Sequence, residues 1–429
     1  MQALFPQLPF GVRAALKALP RAINEILPLR TAHKRDLPLA VEELSLRLTS
    51  ERNTLNRPYW SAPRLTSAYI RYFLPWNIIR LTRLFVGLPL PEPKALAPSP
   101  AHEQSDGPST EPLPRLLVDV GAGPLTVPIA LWMAKPQWRD LPLTVLCLDS
   151  APQPLDLGKK LFLALAGEHS PWRIITRRAP LDALPRELRS VRGIPWLLTA
   201  ANVINEIPVK NGQFNDERFA AIADVAAHFC QHPEASALFV EPGTRLGGKN
   251  MVSLREQALE MGLKPVAPCP HAAACPVQES RSWCHFTFDI DGAPEWLLEL
   301  SRQAHLTKDG LSMSFMLLQK NAPAPKPPQT HPELENVRII SAPFIIPGMW
   351  GSSRYACSER GLTLLTDALS FPSGALIEAQ WPEEPKQDKK SGAFIISPYK
   401  PKGELIMRSV PRKGQVPSGK KPHTTRPQH

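Results

Sequence analysis

Three cysteines lie within one short proline-rich stretch, and their spacing is the strongest chemical signal in the chain. Residues 267–286 read A-P-C-P-H-A-A-A-C-P-V-Q-E-S-R-S-W-C-H-F, so Cys269, Cys275 and Cys284 follow a C-x5-C-x8-C pattern. Thiols packed this densely without hydrophobic periodicity are poor core material and good metal ligands. With a distant fourth cysteine, the pattern can hold a tetrahedral zinc ion or a [4Fe–4S] cluster, and the spacing alone does not separate the two.

Prolines and histidines accompany these cysteines. Pro268, Pro270 and Pro276 stiffen the stretch, which lowers the entropy lost when it wraps a metal. A structural metal site supplies on the order of 10 kcal/mol of folding free energy, enough to order a loop with little core of its own. His271 and His285 are alternative ligands or partners of the ligands.

A second signal is the glycine turn D-V-G-A-G-P at 119–124. It follows a predicted strand and opens a predicted helix, the context in which glycines let the backbone approach a ligand closely. Gly121 and Gly123 match a dinucleotide fingerprint, but Thr126 replaces its third glycine. With Asp149 placed after the second strand to accept hydrogen bonds from a ribose, the turn fits S-adenosylmethionine better than NAD. The alternative is a retained fold that binds no cofactor.

No convincing general base for methyl transfer emerges from the sequence, so no catalytic residue is predicted. Asn202, Asn205 and Glu206, after the fourth strand, could orient a substrate amine, but an N-P-P-Y-type clamp for a base is absent. Glu241, in E-P-G, is either a strand end that faces the pocket or part of a turn. We expect Asn202 to join Asp119, Gly121, Gly123 and Asp149 in a cofactor site.

The elements that must position these residues alternate between strand and helix from residue 115. Such alternation predicts an α/β fold with a parallel, doubly wound sheet. Helices are expected at Val127–Lys135, Ala151–Gly167 and Asp216–Gln231. The expected strands are Arg115–Val120, Leu143–Leu148, Trp172–Thr176, Trp196–Asn202, Ala237–Val240 and Met313–Gln319.

Proline-rich segments divide the chain into predicted units. Aromatic residues of the first unit lie beside arginines and could stack on bases, but their helical spacing favours a core role. The predicted units are an N-terminal helical domain (1–88), a linker (89–114), a Rossmann domain (115–321) with the cysteine insertion (267–286), a spacer (322–335), a β-rich part (336–404) and a basic disordered tail (405–429).

Positive charge is concentrated at the two ends of the chain. The net charge is +11, and residues 1–90 hold thirteen Lys and Arg against five Asp and Glu, while residues 405–429 hold six and none. This distribution favours a protein that binds a polyanion, although charge alone does not distinguish RNA, DNA and an acidic membrane. No apolar run approaches the ~20 residues needed to span a bilayer.

The remaining cysteines bear on the compartment. Six cysteines without a visible secretory signal indicate a reducing environment, and Cys147 and Cys230 fall in strand and helix patterns typical of core thiols. The N-terminus, with Arg13, Lys17 and Arg21, superficially resembles a transit peptide, but we expect it to form the first helix of the folded protein.

Together, the cysteine string, the D-V-G-A-G-P turn, V-E-P-G-T at 240–244 and Arg255 resemble the methyltransferase-like small-ribosomal-subunit proteins, over roughly residues 20–365. The resemblance implies an S-adenosylmethionine-type Rossmann methyltransferase fold, a four-cysteine [4Fe–4S] site and association with the small subunit during assembly. It further implies Cys269, Cys275 and Cys284 as ligands, and Cys357, in R-Y-A-C-S-E-R-G, as the fourth. The chain departs from the family turn G-x-G-P-G at Leu125, whose side chain would crowd the methionine end of the cofactor.

These inferences predict a small-subunit assembly or maturation factor that binds rRNA, with a structural or sensing [4Fe–4S] cluster (or zinc) and S-adenosylmethionine as a possible second cofactor. The alternative is an active S-adenosylmethionine-dependent rRNA methyltransferase. A radical enzyme is rejected because the C-x3-C-x2-C spacing is absent. No membrane or DNA partner is expected, and the expected location is the cytoplasm of a bacterium or the mitochondrial matrix of a eukaryote.

Overall fold

A mixed eight-stranded sheet forms the centre of the protein. The computed structural model describes residues 3–49, 59–95, 112–180, 183–204, 216–280, 282–322, 334–346 and 351–399. The sheet order is β3-β2-β1-β4-β5-β8-β6, with β7 paired to β8. Its strands are β1 (Arg115–Val120), β2 (Leu143–Asp149), β3 (Trp172–Arg178), β4 (Ile194–Ala201), β5 (Ser236–Pro242), β6 (Lys264–Ala267), β7 (Phe286–Phe288) and β8 (Leu311–Gln319).

The first five strands are parallel, as the alternating pattern predicted, whereas β8 runs antiparallel to both β5 and β6. Strands β1 and β2 are buried along almost their whole length, because helices cover both faces of the sheet. The carboxyl ends of β1, β2 and β4 therefore meet at one edge, where the glycine turn lies.

Helices cover the two faces of the sheet. One face packs against α1 (Phe10–Ile26), α4 (Leu74–Gly87), α5 (Thr126–Ala134), α6 (Pro152–Ala166) and α10 (Glu295–Gln303). The other face packs against α7 (Leu184–Arg189), α8 (Asp216–Phe229) and α9 (Arg245–Glu260). Within the described residues, none of the helices combines the length and apolar composition that a membrane crossing requires.

The N-terminal helices share one core with the sheet. Between α1 and α4 lie α2 (Thr31–Thr49) and α3 (Pro63–Ala68), and a π-helical turn joins α3 to α4. Tyr72 and Trp76 are buried, as expected for core aromatics, whereas Tyr59, Trp60 and Tyr69 are half-buried and pack against one another. The predicted linker and spacer (in large part) and the basic tail lie outside the described residues.

The C-terminal strands form a closed five-stranded barrel. Its members are β9 (Leu334–Ile339), β10 (Arg354–Ser358), β11 (Gly361–Leu365), β12 (Leu376–Gln380) and β13 (Phe394–Pro398), in the order β10-β11-β13-β12-β9. All pairs are antiparallel except β11 with β13. This connectivity is a Greek key of the kind that oligonucleotide- and oligosaccharide-binding barrels use. Its outer face along β10 and β11 is covered, since Cys357, Leu362 and Leu364 join the main core.

Candidate functional site

The cysteine loop, residues 267–286, connects β6 to β7 at the edge of the sheet. Cys357 lies on β10 of the barrel, with 72 residues between it and Cys284 in the sequence. Arg338, its partner in register on β9, donates from Nε to the carbonyl of Pro268 at 2.8 Å. The barrel is thereby held against the start of the loop.

All four cysteines line one cavity of about 20 Å³ between α9, β8, the loop and the barrel. The structure therefore brings together Cys269, Cys275, Cys284 and Cys357, which come from two distant stretches of chain. The lining contains two charged side chains, Arg255 and Arg338. Its remaining residues are Met251, Val252, Pro268, Pro270, Val277, Ser314, Phe315, Met316 and Ile340.

Burial keeps these thiols protonated. It raises the pKa of Cys275 to about 11, helped by the neighbouring Cys269 thiol, and it raises the pKa of Cys269, Cys284 and Cys357 as well. Among the described residues, no three Cys, His, Asp or Glu side chains are grouped as a single metal ion would hold them. The four cysteine sulfurs are soft ligands around one cavity, and the thiols would have to lose their protons to bind a metal.

Two buried guanidinium groups, from different elements of the fold, line the cavity. Arg255, on α9, is 1% exposed and donates from Nη2 to the carbonyls of His271 (3.3 Å) and Ala273 (2.5 Å). Burial disfavours its charged form, but negative charge on the Cys269 and Cys275 sulfurs would favour it, and the pKa of Arg255 is raised overall. Arg338 is 4% exposed, and burial lowers its pKa to about 10, against the opposing effect of Cys269, Cys284 and Cys357. Both side chains are charged at neutral pH.

The two histidines of the loop have different surroundings. His271 is buried, its Nε2 lies 3.2 Å from the Cys357 sulfur, and its Nδ1 has no hydrogen-bond partner among the described residues. Burial, together with Arg255, lowers the pKa of His271 to about 4, so the ring is neutral. His285 stacks on Trp283 outside the cavity lining, and Trp283 donates from Nε1 to the carbonyl of Gly243. His271 is thus the histidine that reaches the cysteines.

The glycine turn lies at the carboxyl end of β1, as predicted. Gly121 and Gly123 have φ values of +65° and +49°, which favour glycine. A Cβ on Gly121 would lie 2.3 Å from Cγ2 of Val203, whereas one on Gly123 would meet nothing within 4 Å. The space at Gly121 is therefore filled by a side chain of the protein itself, and the turn is open only at Gly123.

The two acids of this edge are engaged inside the protein. Asp149 accepts backbone hydrogen bonds at 2.8 Å with both carboxylate oxygens, from Gly123 and from Ala151. Asp119 is fully buried and accepts from the Thr199 hydroxyl at 2.7 Å, while its Oδ2 has no partner among the described residues. Burial raises the pKa of Asp119 to about 8, and nearby Asp149 adds to this effect. Asp149 stabilises the turn through Gly123, whereas Asp119 links β1 to Thr199 on β4. The predicted contact of Asp149 with a ribose stays a prediction.

The end of β4 supplies the remaining predicted residues. Asn202 has a φ of +61° and a buried Oδ1 without a partner in the described part of the chain. Asn205 and Glu206 lie outside the described residues. Glu241 is buried on β5 and accepts from the Ile204 N–H at 2.9 Å, so it anchors this segment.

Leu125 does not project into solvent at the turn. Its φ of +57° is in the left-handed region, and its side chain is fully buried in the core.

Val203 and Arg338 are the residues of this site that the sequence did not identify, because only the fold brings them to Gly121 and the cysteines.

The sheet order, the turn after β1 and the acid at the end of β2 define a Rossmann protein of the S-adenosylmethionine methyltransferase type. Residues 107–309 match the family model described as mitochondrial small ribosomal subunit Rsm22. The family expected from the cysteine string is thereby confirmed. The match includes the glycine turn and three of the four cysteines.

The chain is also similar to solved methyltransferase structures. Magnesium protoporphyrin IX methyltransferase from Synechocystis PCC 6803 is 10% identical, with a TM-score of 0.27, over 48% of this chain and 73% of that one. A putative sarcosine dimethylglycine methyltransferase from Galdieria sulphuraria is 11% identical, with a TM-score of 0.29, over 66% and 98%. Geranyl diphosphate C-methyltransferase from Streptomyces coelicolor A3(2) is 10% identical, with a TM-score of 0.26, over 51% and 76%. No curated protein matches the chain.

Proposed function

We propose that this protein is an assembly or maturation factor of the small ribosomal subunit, which binds rRNA and holds a [4Fe–4S] cluster on Cys269, Cys275, Cys284 and Cys357. The observation that carries the proposal is the convergence of all four cysteines on one cavity, in a chain whose residues 107–309 match the Rsm22 family model. The family resemblance favours iron–sulfur over zinc, which is the runner-up.

The residues around the cavity fit such a centre. Four thiols match the ligand set of a cubane cluster, and they are the only donors such a cluster needs. Apart from the thiols, the lining is largely apolar, and its charged groups are the two buried guanidiniums. A bound cluster would supply a covalent joint between the loop and the barrel, and all four irons would be ligated by protein. We therefore assign it a structural or iron-sensing role.

Basic side chains on the edge strand β3 support RNA as the partner. Arg173, Arg177 and Arg178 are exposed, and the last two donate to the backbone carbonyls of Thr176 and Ser150. Neighbouring segments add further positive charge, while acids are few. Between 159 and 192 the described basic residues are Lys159, Lys160, Arg173, Arg177, Arg178, Arg186, Arg189 and Arg192, and the described acids are Glu168 and Glu187. Such a patch has the charge that a phosphodiester backbone requires.

An active S-adenosylmethionine-dependent rRNA methyltransferase is the alternative function. The buried polar atoms Oδ2 of Asp119 and Oδ1 of Asn202, unpartnered among the described residues, favour it, since a cofactor could satisfy them. Val203 over Gly121 and the internal hydrogen bonds of Asp149 favour a fold retained for binding. We therefore place the binding role first.

Anaerobic purification of the full chain tests the cluster. We expect a brown protein with about four irons and four sulfides per chain, and loss of this content in Cys284→Ser. The matched control is Cys230→Ser, which removes a buried thiol that does not line the cavity. One zinc per chain would make the site a zinc site, and a colourless, metal-free protein would overturn the proposal.

Co-sedimentation tests the partner. Purified small subunits and their precursors are mixed with the protein at physiological salt and separated on a gradient. We expect the protein to migrate with the small-subunit particles and not with large subunits. Equal binding to both, or none to either, would contradict a small-subunit factor.

A further inference from the structure

Two buried arginines flank the four cysteines, and they come from different parts of the fold. Arg255 belongs to α9 of the Rossmann domain, and Arg338 belongs to β9 of the barrel. Arg255 also contacts Glu256 through Nη1 at 2.7 Å, whereas the hydrogen bonds of Arg338 go to the carbonyls of Pro268 and Gly374. Among the described residues, no carboxylate pairs with Arg338.

A buried guanidinium without a counter-charge is energetically costly, and hydrogen bonds to carbonyls offset only part of that cost. A protonated thiol is neutral, so four protonated thiols would not balance the charge of Arg338. Four thiolates around an oxidised [4Fe–4S] core carry a net charge of about minus two, as do four thiolates around zinc. The guanidinium of Arg338, together with that of Arg255, which is already paired with Glu256, would offset much of that charge.

The same two side chains also restrain the loop by hydrogen bonding to its backbone carbonyls. Arg338 holds the carbonyl of Pro268, immediately before Cys269, and Arg255 holds the carbonyls of His271 and Ala273, just after it. Both guanidiniums line the cavity that the four cysteines share. The backbone on both sides of Cys269 is therefore held by hydrogen bonds, from the barrel on one side and from the Rossmann domain on the other.

We infer that Arg255 and Arg338 are positioning residues for a dianionic four-thiolate centre: they neutralise it across the interface between the Rossmann domain and the barrel. The inference rests on the proposed function. Its consequence is that the arginines favour the reduced form of a [4Fe–4S] cluster, because reduction adds one negative charge beside them.

The test separates charge from hydrogen bonding. Arg338→Gln and Arg255→Gln keep donor groups but remove the charge, whereas Arg338→Lys and Arg255→Lys keep the charge but lose the planar fork. The control is Arg354→Gln on β10. Arg354 is also buried and also donates to two carbonyls, of Ala368 and Ser341, but it does not line the cavity.

Each full-length variant is purified anaerobically, and its cluster is titrated with dithionite while the reduced fraction is followed by electron paramagnetic resonance. We expect each Gln variant to lower the midpoint potential, with at least a tenfold fall in the reduced-to-oxidised ratio at a fixed potential, about 59 mV for a one-electron couple. In the Lys variants, the reduced-to-oxidised ratio at that potential should stay within threefold of the wild-type ratio. Arg354→Gln should lower the melting temperature without moving the midpoint.

The outcomes distinguish this inference from the proposed function. An unchanged midpoint in both Gln variants, with iron retained, would overturn the charge role and leave the cluster assignment standing. Lys variants that shift as far as the Gln variants would also overturn it. If the wild-type protein holds zinc, the measurement becomes zinc competition with a chelator, and we expect at least tenfold weaker retention in the Gln variants only. A wild-type chain without metal would overturn both proposals.

Discussion

Arg338 and Cys357 are partners in register on adjacent strands of the barrel, and both line the cavity that the three loop cysteines share. Directly opposed residues of an antiparallel pair project to the same side, so one barrel face presents a positive charge and a thiol together. The same face is the one that comparable Greek-key barrels leave open for ligands. Here it serves as an internal interface with the Rossmann domain.

Replacing Cys357 by Ser is expected to remove the metal-mediated link between the barrel and the loop. The variant should retain the Rossmann core but lose most of its iron, because three cysteines remain for a site that needs four. The melting temperature should fall, measured by calorimetry on anaerobic protein.

Cys147→Ser is the control for this change. Cys147 is fully buried on β2 and does not line the cavity, so its replacement should cost about 1–3 kcal/mol for burying a hydroxyl but leave the iron content unchanged. Full iron retention in Cys357→Ser would contradict a four-cysteine site.

Asp119 should make stability depend on pH. Burial raises its pKa from 3.8 to about 8, so between these values the folded protein holds a proton that the unfolded chain has released. The free energy of unfolding is therefore expected to fall as pH rises from about 4 to about 8, and then to show no further contribution from this group.

Asp119→Asn provides the measurement for this prediction, since the amide cannot ionise. The melting temperature of the wild type minus that of Asp119→Asn should decrease steadily between pH 5 and pH 8. A difference that is constant, or that grows with pH, would show that the carboxyl is ionised in the folded state.

The parts of the site that lie close together in sequence could be predicted. The turn at Gly121 and Gly123 follows a strand and opens a helix, and this local order sufficed to place Asp149 at the neighbouring strand end. What the residue types did not indicate is that both oxygens of Asp149 bind backbone N–H groups. That use of the carboxylate depends on the distance between two strand ends.

The parts that depend on distant pairing could not be predicted. Arg338 follows a proline-rich spacer and has no spacing relationship to the cysteines, and it reaches them only because β9 pairs with β10. Closure of the barrel requires the parallel pair β11–β13, whose strands are separated by β12. The helix α9 was not predicted either, because Gly247 and Gly248 weaken its helical pattern. A Cβ at position 248 would collide with the Trp283 side chain, so this position requires glycine.

Leu125 allows backbone strain and side-chain burial to be separated. Its left-handed conformation costs roughly 1–2 kcal/mol for a residue with a Cβ, while its buried side chain stabilises the core. Leu125→Ala should lower the free energy of unfolding by about 2–5 kcal/mol, and Leu125→Gly by about 1 kcal/mol less than Leu125→Ala. Urea unfolding measures both, and an equal or greater loss in Leu125→Gly would show that the left-handed backbone is not strained.

The edge strand β3 should contribute to the salt dependence of RNA binding. Replacing Arg173, Arg177 and Arg178 together by Gln is expected to weaken binding to small-subunit rRNA. The slope of log K against log salt should become shallower by about one for each phosphate that these arginines neutralise in the wild type. Fluorescence anisotropy at several salt concentrations gives this slope.

The control for β3 changes net charge by the same amount. It replaces Lys94, Arg302 and Arg360 by Gln, three exposed residues outside this patch that are already ion-paired with Glu92, Glu295 and Glu335. A similar reduction of slope in both triple variants would show that only net charge matters. Deleting 405–429 should also weaken binding and flatten the slope, and an unchanged slope would refute a role for the tail.

S-adenosylmethionine should bind weakly to the wild-type chain. Val203 occupies the space that Gly121 leaves free, and Asp149 already accepts hydrogen bonds with both oxygens. Isothermal titration at micromolar protein is therefore expected to give no measurable heat, while Val203→Ala, which clears the turn, should bind more tightly than the wild type. Asp149→Asn is the control, because it loses an acceptor for the Gly123 or Ala151 N–H and should lower the melting temperature without creating affinity. Micromolar binding by the wild type would favour the methyltransferase alternative over a fold retained for binding.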